Sequence, residues 1–149
     1  MAAASAARNT LRRNVSAMRI ESYPVKTATT VYEGTLVQLA SGRLASAAAG
    51  TSRSFAGEAL ETVTGNTGGT VYCKVGWGHE ARFVGLTALT KGFMGCMVGV
   101  WTNQEVTTFT GAGTAATRFS AGTFKEWESA NVVWIAVGID SRKTIVANS

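Results

Sequence analysis

One histidine and two cysteines, His79, Cys73 and Cys96, are the residues best suited to covalent chemistry. A thiol beside an imidazole can act as a nucleophilic pair. However, Cys73 is in phase with Val71 and Val75 in an alternating run, which favours a small buried side chain over a nucleophile. No CxxC pair or Cys/His cluster has the spacing of a zinc site. The sequence therefore predicts neither a Cys/His catalytic pair nor a bound metal.

Two glutamates and a glycine-rich run are the other candidates for chemistry. Glu126 and Glu128 flank Trp127, and on a strand their carboxylates would share one face, as paired acids do in glycosidases. Two surface acids in a polar segment account for the same spacing. The run at 65–69 lacks the Lys-Ser/Thr and the helix that follow a phosphate-binding loop, so a turn is predicted there. The chain has a single aspartate and a single histidine, so it has few of the residues from which a Ser/His/Asp triad could be built. We therefore predict that the protein is not an enzyme and has no cofactor and no small-molecule substrate.

The composition favours a sheet protein of one domain. The chain has 149 residues, 46% of them hydrophobic, but 23 are alanine, so the core must be thin. Its 17 glycines argue against long helices, because each interior glycine costs a helix about 1 kcal/mol. No apolar run approaches the roughly 20 residues of a membrane span, so we expect no membrane partner.

Short β-like runs begin at Tyr23 and continue to the last apolar run, at 131–137. The runs 36–39 and 43–45 bracket a glycine-containing loop and predict a hairpin. In 70–75 and 80–84, alternating residue types indicate strands with one buried face. Glycines inside the apolar run 94–101 predict a bulge or a bent strand. Together these runs predict an all-β fold, a single small β-barrel, sandwich or jelly-roll-like domain over residues 23–140, followed by a C-terminal tail at 141–149.

Residues 1–22 form a basic arm that differs from the rest of the chain. The arm has four arginines and no acid before Glu21, and the whole chain carries a formal charge of +5. Its apolar residues at 11, 15 and 18 have helical spacing, so we expect either a short amphipathic helix or an extended arm. Because the arm has no aromatic residue for base stacking, nucleic acid is the less favoured partner. We predict docking onto an acidic protein surface, through Arg8, Leu11, Arg12, Arg13, Val15, Met18 and Arg19.

The last apolar run, 131–137, predicts either a central strand or a strand that another subunit covers, because it is apolar on both faces. Trp77 and Trp101 lie beside predicted turns, where large aromatic residues often anchor interfaces. Self-association would also supplement a core with few large aliphatic side chains. The predicted oligomer interface consists of Val133, Trp134, Ile135, Trp101 and Trp77.

Three stretches between residues 25 and 139 carry a resemblance to a known family. The first is the EGTLV entry at 33–37 with the RLA return at 43–45. The second is FAGEALE at 55–61 followed by the strand at 71–75. The third comprises LT at 86–87, KG at 91–92, CMVGV at 96–100 and VVWIAVG at 132–138. In these stretches the chain resembles the small capsid decoration (cement) proteins of tailed bacteriophages.

The resemblance implies a β-barrel or jelly-roll-like protein on the outer surface of the virion capsid. It implies that the protein binds the major capsid protein, forms a homo-oligomer, with a trimer favoured, and stabilises the lattice without catalytic residues. The chain departs from the family in its less acidic turn at 102–105 and in its basic arm, which we expect to be a docking tether that is dispensable for folding. Another virion subunit, such as a head fibre base, a tail tube or an adaptor, is the alternative, and a basic nucleic-acid-binding module is a further one.

Overall fold

The computed structural model describes residues 3–49, 54–112 and 119–139, so the tail predicted at 141–149 lies outside the described residues. Within those ranges about half of the residues lie in β-strands, and the helical structure is limited to three single 3-10 turns. The strands are β1 (Arg12–Arg13), β2 (Arg19–Pro24), β3 (Thr30–Val31), β4 (Leu36–Ala40), β5 (Arg43–Ser46), β6 (Ser54–Ala59), β7 (Val63–Thr64), β8 (Tyr72–Trp77), β9 (Glu80–Gly85), β10 (Met97–Val100), β11 (Glu105–Thr108), β12 (Ser120–Ser129) and β13 (Val132–Val137).

Five of these strands close into a small barrel. Their order is β9–β11–β10–β12–β13, and β13 pairs with β9 to complete the ring. The β9–β11 pair is parallel, whereas the other neighbours are antiparallel. The all-β small barrel predicted from the strand pattern is confirmed. These strands share a core cluster that includes Ala81, Phe83, Val98, Val100, Val106, Ala121, Phe124, Val133, Ile135 and Val137.

A second sheet of five strands, in the order β2–β8–β6–β4–β5, packs beside the barrel. Its two edges approach each other where Val25, just after β2, forms a parallel bridge with Leu44 of β5. The predicted hairpin is β4–β5, and its turn residues Ser41 and Gly42 have φ values of 52° and 79°. Two consecutive positive φ values are the signature of a type I′ turn, which matches the twist of the flanking strands. This sheet has its own core cluster, formed by Val25, Val31, Val37, Leu44, Ala59, Cys73 and Val75.

The β8–β9 hairpin connects the two sheets, because β8 belongs to the second sheet and β9 to the barrel. Along β8 the side chains of Cys73 and Val75 are buried, whereas Tyr72 and Lys74 are exposed. Along β9, Ala81 and the neighbouring odd-numbered positions are buried in the same alternating way. The predicted faces of both strands are confirmed, since successive strand residues point to opposite sides of a sheet.

The strand β13 is central in the barrel. It pairs with β12 on one edge and with β9 on the other. Its odd-numbered side chains enter the core, and the outward-facing Trp134 is covered by other side chains of the same chain. The first of the two readings of this apolar run, a central strand, is therefore observed, and no second subunit is needed to bury it.

The N-terminal segment is part of the folded unit. The boundary predicted between residues 22 and 23 falls inside β2, which spans Arg19–Pro24. A single 3-10 turn at Val15–Ala17, preceded by Asn14 with φ 56°, connects β1 and β2 in place of the amphipathic helix. Short helices are marginal in water, and here the segment hydrogen-bonds to the β8–β9 hairpin instead. We call residues 8–24 the N-terminal strap.

Candidate interaction site

The N-terminal strap lies along the β8–β9 hairpin and joins the two sheets. The two residues of β1 pair with the beginning of β9, whereas β11 pairs with the end of the same strand. The strand β2 pairs with β8 along all six of its residues. The strap therefore supplies β1, which pairs with the part of β9 that β11 leaves unpaired. It also supplies β2, the edge strand of the second sheet.

Beneath the strap lies a buried cluster of three charged or titratable side chains. Glu58 of β6 and His79 of the β8–β9 turn are both fully buried. The guanidinium of Arg12 donates from Nε and Nη2 to Glu58 Oε2, at 2.9 and 2.7 Å. His79 Nε2 lies 2.6 Å from Glu58 Oε1. The hydrogen bond to Glu58 raises the pKa of Arg12, so the guanidinium stays charged.

The hydrogen-bonding role of His79 follows from its partners. Because Arg12 already donates to Glu58, the carboxylate is an acceptor, and His79 must donate to it from Nε2. The other ring nitrogen, Nδ1, is buried and has no hydrogen-bond partner among the described residues. The imidazole therefore has a structural role, as a hydrogen-bond donor to the buried carboxylate.

Glu58 was not among the residues singled out from the sequence. In an alternating strand it would face away from Ala59, yet both are buried. Arg12 of the strap and His79 cover the side of β6 that carries Glu58, whereas Ala59 packs in the core of the second sheet. The sequence does contain a signal for this site, since Glu58 is a lone acid between glycine and alanine in an otherwise apolar run. A carboxylate buried in such a run requires a partner of opposite charge or a hydrogen-bond donor.

The outer wall of the barrel carries a second charged network around Trp134. The Arg13 guanidinium lies 4.2 Å from the centre of the Trp134 ring. It also donates to Glu80 at 2.6 Å and to Glu126 at 2.7 Å. Glu128 accepts from the Trp134 indole N–H at 2.9 Å and pairs with Arg82. The two glutamates weighed as a glycosidase pair, Glu126 and Glu128, are therefore each engaged in an ion pair.

The predicted capsid-binding residues fall into two groups. The arginines at 8, 12 and 13 bind the chain itself, since Arg8 lies over the Phe83 ring at 5.0 Å and the other two form the ion pairs described above. Arg19 is exposed and lies 5.3 Å from the centre of the Trp77 ring. The apolar members point outward to different degrees: Leu11 is 44% and Val15 53% exposed, and Met18 is half-buried. Ile20, which is not among the predicted binding residues, is 59% exposed.

The predicted oligomer-interface residues are also divided. Val133 and Ile135 are fully buried in the barrel core, and Trp134 is only 9% exposed beneath Arg13. Within one chain these three side chains leave almost no surface for a second copy to contact, because β13 is central. Trp77 is half-buried and its indole donates to Glu21 at 2.7 Å. Trp101 is 42% exposed at the turn before β11, so it alone of the five keeps a large free aromatic surface.

Both cysteines are free and buried. They belong to different parts of the core, since Cys73 packs in the second sheet and Cys96 precedes β10. Burial raises the pKa of the Cys73 thiol to about 11. A thiol reagent attacks the thiolate, so the neutral form that burial favours should be inert.

This state of Cys73 leads to a direct test. We expect the folded protein to leave Cys73 unmodified by a thiol reagent at about pH 8, because the raised pKa keeps the thiol protonated well above that value. Complete labelling of Cys73 in denaturant is the control, because it shows that the reagent is active and that the thiol reacts once it is exposed. Mass spectrometry of peptides from the labelled protein would measure the modification. Rapid labelling of Cys73 in the folded protein would contradict its placement in the core.

An aromatic pocket of about 400 Å³ opens where the second sheet meets the barrel. Phe55 and Trp77 contribute from the second sheet, and Phe119 contributes from the barrel side. Glu21 lies at the pocket, where it accepts from Trp77 Nε1 at 2.7 Å and from the Tyr23 hydroxyl at 2.8 Å. These two hydrogen bonds, together with the charge of Arg19, lower the pKa of Glu21.

Within the described residues, no group of three metal-ligating side chains is placed to hold an ion. Across the same residues, no helix has the length and hydrophobicity needed to cross a bilayer. A comparison with models of protein families finds none that matches this chain. A comparison with curated proteins likewise finds no significant match.

Proposed function

We propose that this protein is a structural, non-catalytic component of a tailed-phage virion that decorates the outer surface of the capsid by binding the major capsid protein. The support comes from the family resemblance of residues 25–139 and from the small all-β barrel. The thiols and the imidazole that chemistry would need are buried or engaged in structural contacts.

The observation that carries the proposal is the exposed surface of the N-terminal strap. Leu11, Val15 and Ile20 are 44%, 53% and 59% exposed, although the strap itself is anchored by the ion pairs of Arg12 and Arg13. Apolar side chains held rigidly in water contribute to stability only when a partner covers them. A rigid display also lowers the ordering entropy that binding costs. We infer that this surface contacts the capsid lattice.

A co-sedimentation experiment tests both parts of this proposal. We expect the protein to saturate capsids assembled without it, and the combined variant Leu11→Ser, Val15→Ser and Ile20→Thr to lose at least about tenfold in affinity. Met94→Ser, at a residue that is 41% exposed elsewhere on the surface, is the matched control and should bind as the wild type does. These exposed positions are chosen because truncation at residue 20 would also remove the partner of the buried Glu58.

The outcomes separate the function from the surface. Wild-type protein that fails to sediment with capsids would overturn the proposed function. If the wild type binds capsids and the triple variant binds them equally well, only the assignment of the strap as the contact surface is overturned.

The homotrimer remains a prediction, and Trp101 is now the residue that best supports it. The contacts of the strap arginines argue against the alternative of a nucleic-acid-binding module. Arg12 and Arg13 are paired with carboxylates of the same chain, so they are poorly placed to neutralise phosphates. Other virion positions, such as a head fibre base, a tail tube or an adaptor, share the proposed lack of catalysis and would be separated by where the protein sits on the particle.

A further inference from the structure

We propose that the aromatic pocket between the two sheets binds a lysine or arginine side chain of the protein on which this chain docks. The inference rests on the proposed function and goes further, because it names the chemical group that the partner must present. The pocket is a second contact region, built from residues other than the exposed apolar side chains of the strap.

The walls of the pocket suit the stem of a long cationic side chain. Phe55 and Phe119 pack against each other across the sheet junction, with ring centres 6.4 Å apart and planes tilted by 37°, so they form one continuous aromatic wall of the pocket. Trp77 and Tyr23 continue the aromatic lining. Aromatic faces attract cations through the ring quadrupole, and they also cover the methylene groups that carry the charge. The volume of about 400 Å³ lies within the range of pockets that bind small organic groups.

Glu21 gives the pocket its charge selectivity. It is the single charged side chain among the described residues that line the pocket. Trp77 and Tyr23 donate to different carboxylate oxygens, so the group is held in one orientation while each oxygen keeps a further lone pair for a guest. A neutral partner that covered the Glu21 carboxylate would remove its hydrating water without supplying an opposite charge. An anionic partner would be repelled by the carboxylate. A cation is the guest that satisfies it.

Arg19 is the one neighbouring cation that bears on this assignment. Its guanidinium lies 5.3 Å from the centre of the Trp77 ring, and it does not line the pocket. Its contact shows that the Trp77 ring accepts a cation. The charge of Arg19 acts on Glu21, because it helps to lower the pKa of that carboxyl. Arg19 is exposed on the edge strand β2, where an attraction between surface charges is weak, and the carboxylate oxygens of Glu21 keep lone pairs for a second cation.

A small-molecule probe tests the pocket without any capsid. We expect n-butylammonium to shift the NMR resonance of the Trp77 indole N–H, which the variant Trp77→Phe identifies. We expect n-butanol, which has the same stem and no charge, to bind at least about tenfold more weakly. Glu21→Gln should lower the affinity for n-butylammonium by a similar factor, because the amide keeps one of the two acceptor oxygens and removes the charge. If n-butylammonium causes no shift up to about 50 mM, or if n-butanol binds equally well, the proposal is overturned.

Capsid binding then tests the partner. Glu21→Gln should reduce affinity for capsids at least about tenfold, while Glu33→Gln, the same charge change at an exposed residue outside the pocket, should leave it unchanged. Equal binding by Glu21→Gln and the wild type would overturn the assignment of the guest to the capsid protein. Failure of the wild type to bind capsids would instead count against the proposed function, and the n-butylammonium result would still decide whether the pocket binds cations.

Discussion

Replacing Arg12 with alanine should lower the free energy of unfolding by about 3 kcal/mol. The substitution leaves Glu58, which is fully buried, as a carboxylate without its cationic partner. Removal of one member of a buried pair costs more than the pair contributes, because the remaining charge is desolvated and uncompensated. Since the Arg12 side chain is itself 26% exposed, we expect a value at the lower end of the range for buried pairs. Urea unfolding would measure the change.

Two further variants control this result. Arg13→Ala removes a neighbouring arginine that is more exposed, and it should cost only about 1 kcal/mol. The double variant Arg12→Met and Glu58→Gln removes both charges and retains an acceptor for His79, so it should be more stable than Arg12→Ala alone. An Arg12→Ala protein within 1 kcal/mol of the wild type, by the scale of ordinary surface substitutions, would show that the cluster does not hold the sheets together.

The same cluster alters the expected role of the basic segment. The amino-acid sequence predicts residues 1–22 to be a tether that the domain can lose without unfolding. The strap instead supplies β1 and β2 and compensates the charge of Glu58. Deletion of such a segment affects folding and binding together, which is why point variants on its exposed face are the informative ones.

Replacing Gly122 with alanine should destabilise the barrel by about 3 kcal/mol or more, through backbone strain and steric overlap. Gly122 has φ 140°, a region that side chains with a Cβ rarely adopt. An added Cβ would also overlap the carbonyl oxygen of Ala136 on the neighbouring strand β13. Relief of this overlap requires β12 and β13 to separate within the closed ring. Thermal unfolding would report the loss.

Gly95→Ala separates the two causes. Gly95 also has a positive φ, 89°, but an added Cβ would meet nothing within 4 Å. Its substitution should therefore cost only the backbone strain, about 1–2 kcal/mol. If the two variants lost equal stability, close approach between β12 and β13 would not be the cause at Gly122.

The residue types and their spacing were sufficient to predict many of the strands that follow the strap, and the buried faces of β8 and β9. Cys73 and Val75 alternate with Tyr72 and Lys74, and the structure buries the predicted pair. This succeeds because the alternation is a local property: each strand residue points opposite to its neighbour, whatever the partner strand is. The β4–β5 hairpin was predicted for the same reason, since its turn depends on a few adjacent residues.

Only the tertiary structure decided which charges meet. Arg12 and Glu58 are separated by 46 positions, and their contact depends on how the strap crosses the hairpin between the sheets. The aromatic pocket likewise draws Glu21, Phe55, Trp77 and Phe119 from separate strands or their flanks. Pairing over such distances is determined by barrel closure and strand order, which a local pattern does not encode. For that reason the amino-acid order identified an all-β chain with a basic beginning, while the fold determined that most of those basic side chains stabilise the molecule itself.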